Sequence, residues 1–536
     1  MKKMSMFQFL TMVLFLMSIL FLLMAIVCLN KNYVYLVEID LLMLNSLMYN
    51  FIFYMDWMSF SFSFIVLLIS SLILIYSSIY LGLECNRFLW LTFLFVLFMI
   101  IMIFTPSCLG VLLGWDGLGM ISYCLIIYYK SSDAFNSGFI TSFTNRIGDS
   151  MLMLSIVWFS MEGVFIFFES FFQVLFFILA CMTKSAQFPF SAWLPSAMAA
   201  PTPISSLVHS STLVTAGVYL LIRFFHCYNN SVWLMLLLIS SLLTTIVAGM
   251  SALYEYDLKR IIALSTLGQL GFMVMILCVG YPFISFFHLV IHAIFKALLF
   301  MCAGSFIHNS MGIQDLRKMG SATSDQITYS CFFIALINLM GIPFTSGFYS
   351  KDSLIELSCV SIFGMGIILI VMVIITAGYS VRMIMFFNSM KSWIIYRYSL
   401  SFLLITLMIL SVINIFMGSM MLWMLEELDL ILLKMEMKMM IIIFLSGGVI
   451  WHGYMNSSKS FDFFGSTMFF MMNITKLLSK FILLCLLFIQ IIDQGFFESV
   501  LFNYKKKTLW FSYCIKNISK ISYISISIFS TMILFV

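Results

Sequence analysis

The chain of 536 residues is 63% hydrophobic and only 9% charged, with a mean hydropathy of +1.12 and a formal net charge of +5. So little polar material cannot cover a soluble domain of this size, and the composition defines a polytopic membrane protein. Its apolar runs are continuous and about 20 residues long, without the period-two alternation of a β-barrel, so the spans are helical.

In chain order, spans are predicted near 7–28, 58–80, 88–105, 107–128, 135–160, 170–187, 203–225, 231–250, 258–279, 283–307, 327–347, 358–387, 397–424, 437–454 and 515–536. That is roughly 15 transmembrane helices in an all-α polytopic protein. The start, Met1-Lys-Lys-Met4 and an apolar run to Cys28, exceeds a signal-peptide core and lacks a small-residue cleavage site. It is expected to be an uncleaved first span with no transit sequence before it. A shorter apolar stretch at 41–55 is expected to form a partial span or a hairpin on the membrane surface.

Four of the seven prolines lie between Phe188 and Pro203, and no helix can run unbroken through that stretch. A second break is expected at Gly341-Ile-Pro-Phe-Thr-Ser-Gly347. Interrupted helices in two corresponding halves point to an inverted-repeat transporter with polar function near the breaks. Residues 462–512 are too long and too punctuated by charge for a span. They predict a helix lying along other helices at membrane level, of about 75 Å if 50 residues are helical. The expected divisions are 1–85, N-terminal spans; 86–250, a first half broken near 184–203; and 251–390, a second half broken near 341–351. Extra spans at 391–461, the lateral helix at 462–512 and an anchoring span at 513–536 follow.

With the charges assigned to loops set aside, a short intramembrane list remains: Asp116, Asp149, Lys184, His209, His288, His292, Lys296 and Lys351 with Asp352. Each is costly in a bilayer, about 2.5–3.5 kcal/mol at the centre on insertion scales, and so needs a partner or water. His288, His292 and Lys296 stand at i, i+4 and i+8 and share one helix face, a candidate proton wire. Asp116 and Lys184 are a candidate switch pair. At ~4 Å their attraction is about 4 kcal/mol at an effective dielectric of 20, enough to hold or release a lysine proton as they approach or part. The rival reading is a static ion pair joining two helices. Ser205, Ser206, Ser210, Ser211 and Thr212 around His209 suggest a wet polar strip. A zinc shared by His288 and His292 lacks a third acidic ligand and H-E-x-x-H, so no metal is expected. Glu255, Asp257, Lys259 and Arg260 read as a solvated loop. The 12 Cys show no C-x-x-C and are expected to be apolar fillers; no Gly-rich phosphate loop follows a strand. The modest net charge, spread through loops, argues against nucleic acid as a partner.

Seven segments carry a resemblance: Gly114 to Tyr123, Asn145-Arg-Ile-Gly-Asp149, Lys184-Ser-Ala-Gln187 with Trp193 to Met198, Pro201 to Thr212, Asp257-Leu-Lys-Arg260, His288 to Lys296, and Gly347-Phe-Tyr-Ser-Lys-Asp352. Over residues 50–390 the chain resembles the antiporter-like subunits of respiratory complex I, and its C-terminal helix is similar to that of the distal member. The resemblance implies inverted five-helix repeats and proton pumping coupled to quinone reduction elsewhere. No cofactor is implied in this chain, since NADH, flavin, iron–sulfur clusters and ubiquinone serve other subunits. An input carboxylate, usually Glu, matches Asp116, whose shorter arm departs from the pattern. The central lysine matches Lys184, the connecting polar residues match His209, His288, His292 and Lys296, and the terminal lysine matches Lys351 with Asp352 beside it. Implied partners are the other membrane-arm subunits, especially the adjacent antiporter-like chain 4, and lipids. The abundance of Met (45) and Phe (59) fits an A+T-rich gene read with an extra Met codon, which points to an animal mitochondrial genome and the inner membrane. The alternatives are a subunit of a cation/proton antiporter complex, a membrane scaffold with purely structural ion pairs, and a free-standing quinone enzyme, for which no cofactor motif exists.

Overall fold

The structure, a computed structural model, describes residues 6–44, 47–82, 85–161, 171–229, 232–319, 326–361, 363–389, 401–425, 435–454, 459–466, 468–469, 471–492, 495 and 502–508. The chain divides into two compact units after residue 469.

In the first unit, helix α1 (Met6–Lys31) is followed by an antiparallel hairpin, β1 (Tyr35–Leu44) and β2 (Leu47–Met55). The stretch expected at 41–55 as a partial span or surface hairpin falls in a two-stranded hairpin, the one sheet among the described residues. Its β-branched and aromatic residues suit a pleated ribbon, and a strand covers about 3.3 Å per residue against about 1.5 Å in a helix.

Helix α2 (Trp57–Tyr80) starts at Asp56, whose carboxylate accepts from the Ser59 amide at 2.9 Å while Ser59 Oγ accepts from the Asp56 amide at 2.9 Å. This reciprocal cap satisfies two of the donors that a helix start leaves orphaned. Then come α3 (Cys85–Phe104), α4 (Cys108–Ile126), α5 (Ser132–Met161) and α6 (Phe171–Lys184). The first break follows, with short turns at Phe190–Ala192, Trp193–Ser196 and Ala197–Ala199. The chain resumes as α7 (Thr202–Arg223), which is π-helical over Ser205–Thr212. Helices α8 (Trp233–Tyr254), α9 (Leu258–Val279) and α10 (Pro282–Asn309) complete the middle of the chain. Proline at the first position of α10 costs nothing, because that N–H has no helical partner anyway.

Helix α11 (Gln326–Met340) ends at Gly341, whose φ of +82° is the left-handed cap only glycine takes without strain. A fresh helix, α12 (Ser346–Ser361), starts at the second break, and α13 (Phe363–Ser389) follows. The spans expected at 327–347 and 358–387 are thus three helices. The unit ends with α14 (Ser401–Leu425), α15 (Met435–Tyr454) and α16 (Lys459–Ser466). Helix α10 is the hub: it packs against α2, α7, α9, α11, α12 and α14, and its interior face is fully buried.

Among the described residues ten helices are long and apolar enough to cross a membrane, and α6 and α11 are apolar but shorter because the breaks truncate them. The rest of the expected fifteen falls on α5, α15 and 515–536; the last, with the anchoring span expected at 513–536, lies outside the described residues.

The second unit begins its described helix, α17 (Met471–Gln490), after a break. The expected lateral helix of 462–512 is therefore not one rod from its start. Residues up to Ser466 belong to α16, and Met468 and Phe469 take left-handed backbone, φ +51° and +52°, which no continuing helix allows. Residues 502–508 are again helical.

Candidate proton-transfer sites

The first site is built from α4, α5 and α6. Lys184, the last residue of α6, is fully buried and donates from Nζ to the Trp115 carbonyl at 2.8 Å, 4.6 Å from the centroid of the Trp115 ring. The same tryptophan donates from Nε1 to Asp149 Oδ1 at 2.9 Å. Arg146 Nη1 lies 3.2 Å from Asp149 Oδ2 and 3.0 Å from Asp116 Oδ1. Asp116 therefore does not close on Lys184 as the switch pair was drawn. It stands on the outer face of α4, its side chain 46% exposed, and pairs with Arg146, while the buried lysine donates to the Trp115 carbonyl. Arg146 was present in the sequence only as the second letter of its motif, because an arginine in a polar pentapeptide gives no sign of its partner.

His209 sits in the π-helical part of α7, buried, 6.2 Å from the Trp193 ring by centroids. The hydroxyls around it bond carbonyls of the preceding turn. Ser206 donates to the Pro203 carbonyl at 2.9 Å, Ser210 to Ser206 at 2.5 Å, and Thr212 to Leu207 at 2.7 Å. Side-chain hydroxyls in a helix reach carbonyls of the preceding turn more easily than a neighbour's ring. Among the described residues neither nitrogen of His209 or of His292 has a hydrogen-bond partner. Leaving such a group unmet costs about 1–3 kcal/mol, which favours water beside it.

The second site lies on α9, α10, α12 and α13. His288 Nδ1 is 2.9 Å from Ser350 Oγ, and its Nε2 is 3.1 Å from Gln269 Oε1. His288 and His292 lie 6.3 Å apart by ring centroids. Lys296 Nζ donates to Ser265 Oγ at 2.5 Å. Lys351 Nζ donates to Thr376 Oγ1 at 2.8 Å and to the Met340 and Leu339 carbonyls at 3.3 and 3.4 Å. Those carbonyls end α11 and have no partner in their own helix, so they carry the negative end of its dipole. Asp352, buried on the same turn, makes no described ion pair with Lys351 within 4.0 Å. Gly347 sets this geometry. A Cβ there would lie 1.8 Å from the Asn338 carbonyl oxygen, so only glycine lets α12 press onto the end of α11. A cavity of about 20 Å³ joins the residues that hold the three groups: Ser265, Gln269, Thr376 and Lys351 line it together. That is room for one water.

Beside the sites, Lys259 corrects the solvated-loop reading. It is buried at 5% exposure and donates to the Ala200 carbonyl at 3.1 Å, at the edge of the first break. Only Arg260 of that group is half exposed, 3.3 Å from Asp257 and 4.0 Å from Glu255. Burial, opposed by Arg260, leaves the Glu255 carboxyl above its ordinary range. Arg382 of α13 similarly reaches the Leu253 and Ala252 carbonyls at the end of α8.

A chain with two broken helices and lysines held at both breaks is a member of a known class. The profile described as NADH:quinone oxidoreductase/Mrp antiporter, TM, matches residues 105–377. The chain belongs to this family. Relatives named NADH-ubiquinone oxidoreductase chain 5 include that of Aedes aegypti, 44% identical over 490 residues, covering 86% of this chain and 81% of the relative. The Lumbricus terrestris protein of the same name is 52% identical over 57% of this chain and 55% of its own length. Among solved structures, a chain of the Mrp complex from Dietzia sp. superposes with a TM-score of 0.68 at 20% identity, over 97% of this chain and 59% of that one. A chain of the membrane-bound sulfane sulfur reductase, an archaeal respiratory membrane complex, gives 0.66 at 21% identity, over 75% and 85%. At these identities the two structures speak for the fold.

Proposed function

We propose that the chain is a proton-translocating, antiporter-like subunit of respiratory complex I in the mitochondrial inner membrane, encoded in the mitochondrial genome. Protons pass near the membrane midplane by way of Asp116, Asp149, Lys184, His209, His288, His292, Lys296, Lys351 and Asp352, and the redox cofactors belong to other subunits. The observation that carries this reading is the set of buried cations and imidazoles on α6, α7, α10 and α12, two of whose imidazoles have no partner among the described residues. A purely structural ion pair would need none of the lone imidazoles.

The neighbour is argued from the first site. Asp116 and Arg146, 46% and 51% exposed, lie among the outward Met120, Phe139, Met153 and Trp158. An ion pair is poorly tolerated against lipid tails, which supports a protein neighbour on this face, the antiporter-like chain 4, with lipids around the rest. The likeness to the Mrp chain favours a second reading, a subunit of a cation/proton antiporter complex. Protons pumped per NADH oxidised, measured in sealed vesicles with assembled Lys184→Met complex, separate these. A lowered ratio or stalled turnover supports the reading; an unchanged ratio at unchanged rate reduces Lys184 to a structural charge. A Na⁺-dependent flux without NADH would favour the antiporter.

A further inference from the structure

Resting on the proton-conducting reading above, we propose that Ser350 is a positioning residue whose hydroxyl turns between His288 and the Gly347 carbonyl, so that the charge of His288 is registered on the broken helix carrying Lys351. Both ring nitrogens of His288 are held, Nδ1 by Ser350 Oγ at 2.9 Å and Nε2 by Gln269 Oε1 at 3.1 Å. An amide oxygen can only accept, so Nε2 bears a hydrogen in either charge state. Gln269 and Tyr379 line the same small cavity beside the ring. The charge of His288 is therefore decided at Nδ1.

A hydroxyl has one hydrogen and two lone pairs. With His288 neutral, Ser350 donates that hydrogen to Nδ1. With His288 charged, Nδ1 donates instead, and the Ser350 hydrogen must find another acceptor. The Gly347 carbonyl is in place at 3.4 Å from Ser350 Oγ. The step balances without further groups. A proton joins the Nδ1 lone pair, the Ser350 O–H swings to Gly347 O, and an Oγ lone pair accepts the new N–H. Release reverses each move, and no bond other than that N–H is made or broken.

Gly347 and Ser350 form the first turn of α12, and Lys351 follows directly. The missing Cβ of Gly347 lets the same turn press against Asn338, and Lys351 bonds the carbonyls one and two residues further along α11. A hydrogen bond gained or lost at Gly347 is thus made in the turn that sets the reach of Lys351.

The test compares Ser350→Ala, Ser350→Thr and Lys296→Met in assembled complex, reading NADH oxidation rate and protons per NADH in sealed vesicles. Ser350→Ala is expected to slow coupled turnover about tenfold, the worth of one lost buried hydrogen bond to the imidazole. Ser350→Thr, which keeps the hydroxyl, is expected to stay within about twofold of normal. Normal rate and ratio in Ser350→Ala would overturn the proposal, as would a threonine variant as slow as the alanine one, which indicates packing alone. If the alanine variant does not assemble, Ser350→Cys takes its place, and a normal rate there overturns the proposal equally. A stalled Lys296→Met beside a normal Ser350→Ala would sink the hydroxyl rotor only; a normal Lys296→Met would sink the proton-conducting reading beneath it.

Discussion

Both halves of the molecule hold a lysine by carbonyl oxygen, but they surround it differently. At the first site Lys184 stands behind Trp115, which also binds Asp149, and a half-exposed Arg146 joins Asp149 to Asp116. Charge there answers charge. At the second site neither Lys296 nor Lys351 has a carboxylate among its described hydrogen-bond partners; a serine, a threonine and two helix-end carbonyls hold them. Attraction between ions acts over distance and can change when one partner moves, whereas a hydroxyl or a carbonyl acts only at contact. The first site is therefore suited to sensing a neighbour on its exposed face, and the second to passing a proton through fixed short contacts.

That contrast can be broken by variants. The largest effect is expected from Gly347→Ala. Its Cβ would strike the Asn338 carbonyl, and overpacking of this kind costs about 1–3 kcal/mol or more. Loss of assembled complex on native gels is the expected result; normal assembly would show that α12 can slide. Next comes Lys296→Met, expected to stall pumping in complex that still assembles, because a fully buried cation is replaced by an apolar side chain of similar length. Full proton flux in that variant would remove the second site from the path.

The carboxylates of the first site rank next. Asp149→Asn loses the Arg146 contact and alters the bond from Trp115, so coupled turnover should fall about tenfold, the effect of one charge-assisted bond. Asp116→Asn, on the proposed path but half exposed, should slow coupled turnover about threefold; an unchanged rate would take Asp116 off the path. The smallest effect is expected from Arg260→Gln, whose exposed ion pairs are worth about 0–1 kcal/mol and should leave both thermal stability and flux unchanged.

Much of the site was legible before any coordinates. The intramembrane charges announce themselves by their cost in lipid, and both breaks are written in proline and glycine. The missed residues share a physical reason. Lys259 looks like a loop cation and Arg382 lies in the expected span 358–387, yet they reach carbonyls at the edge of the first break and at the end of α8. Ser265, Gln269 and Thr376 look like ordinary helix residues, yet they line the cavity between the lysines. A helix end far along the chain, or a hydroxyl on a neighbouring helix, leaves no mark beside the residue it serves.

The sequence by itself determined that this is a helical membrane protein with two interrupted helices and a row of buried ionisable groups, because hydropathy and proline act locally. Tertiary structure alone decided which group meets which. It gave Asp116 to Arg146 and not to Lys184, clamped His288 between Gln269 and Ser350, and set Lys351 on the end of α11. Each of those pairings crosses between helices, where only packing fixes a distance of 3 Å, and hydrogen bonds and ion pairs vanish or form within an ångström of it.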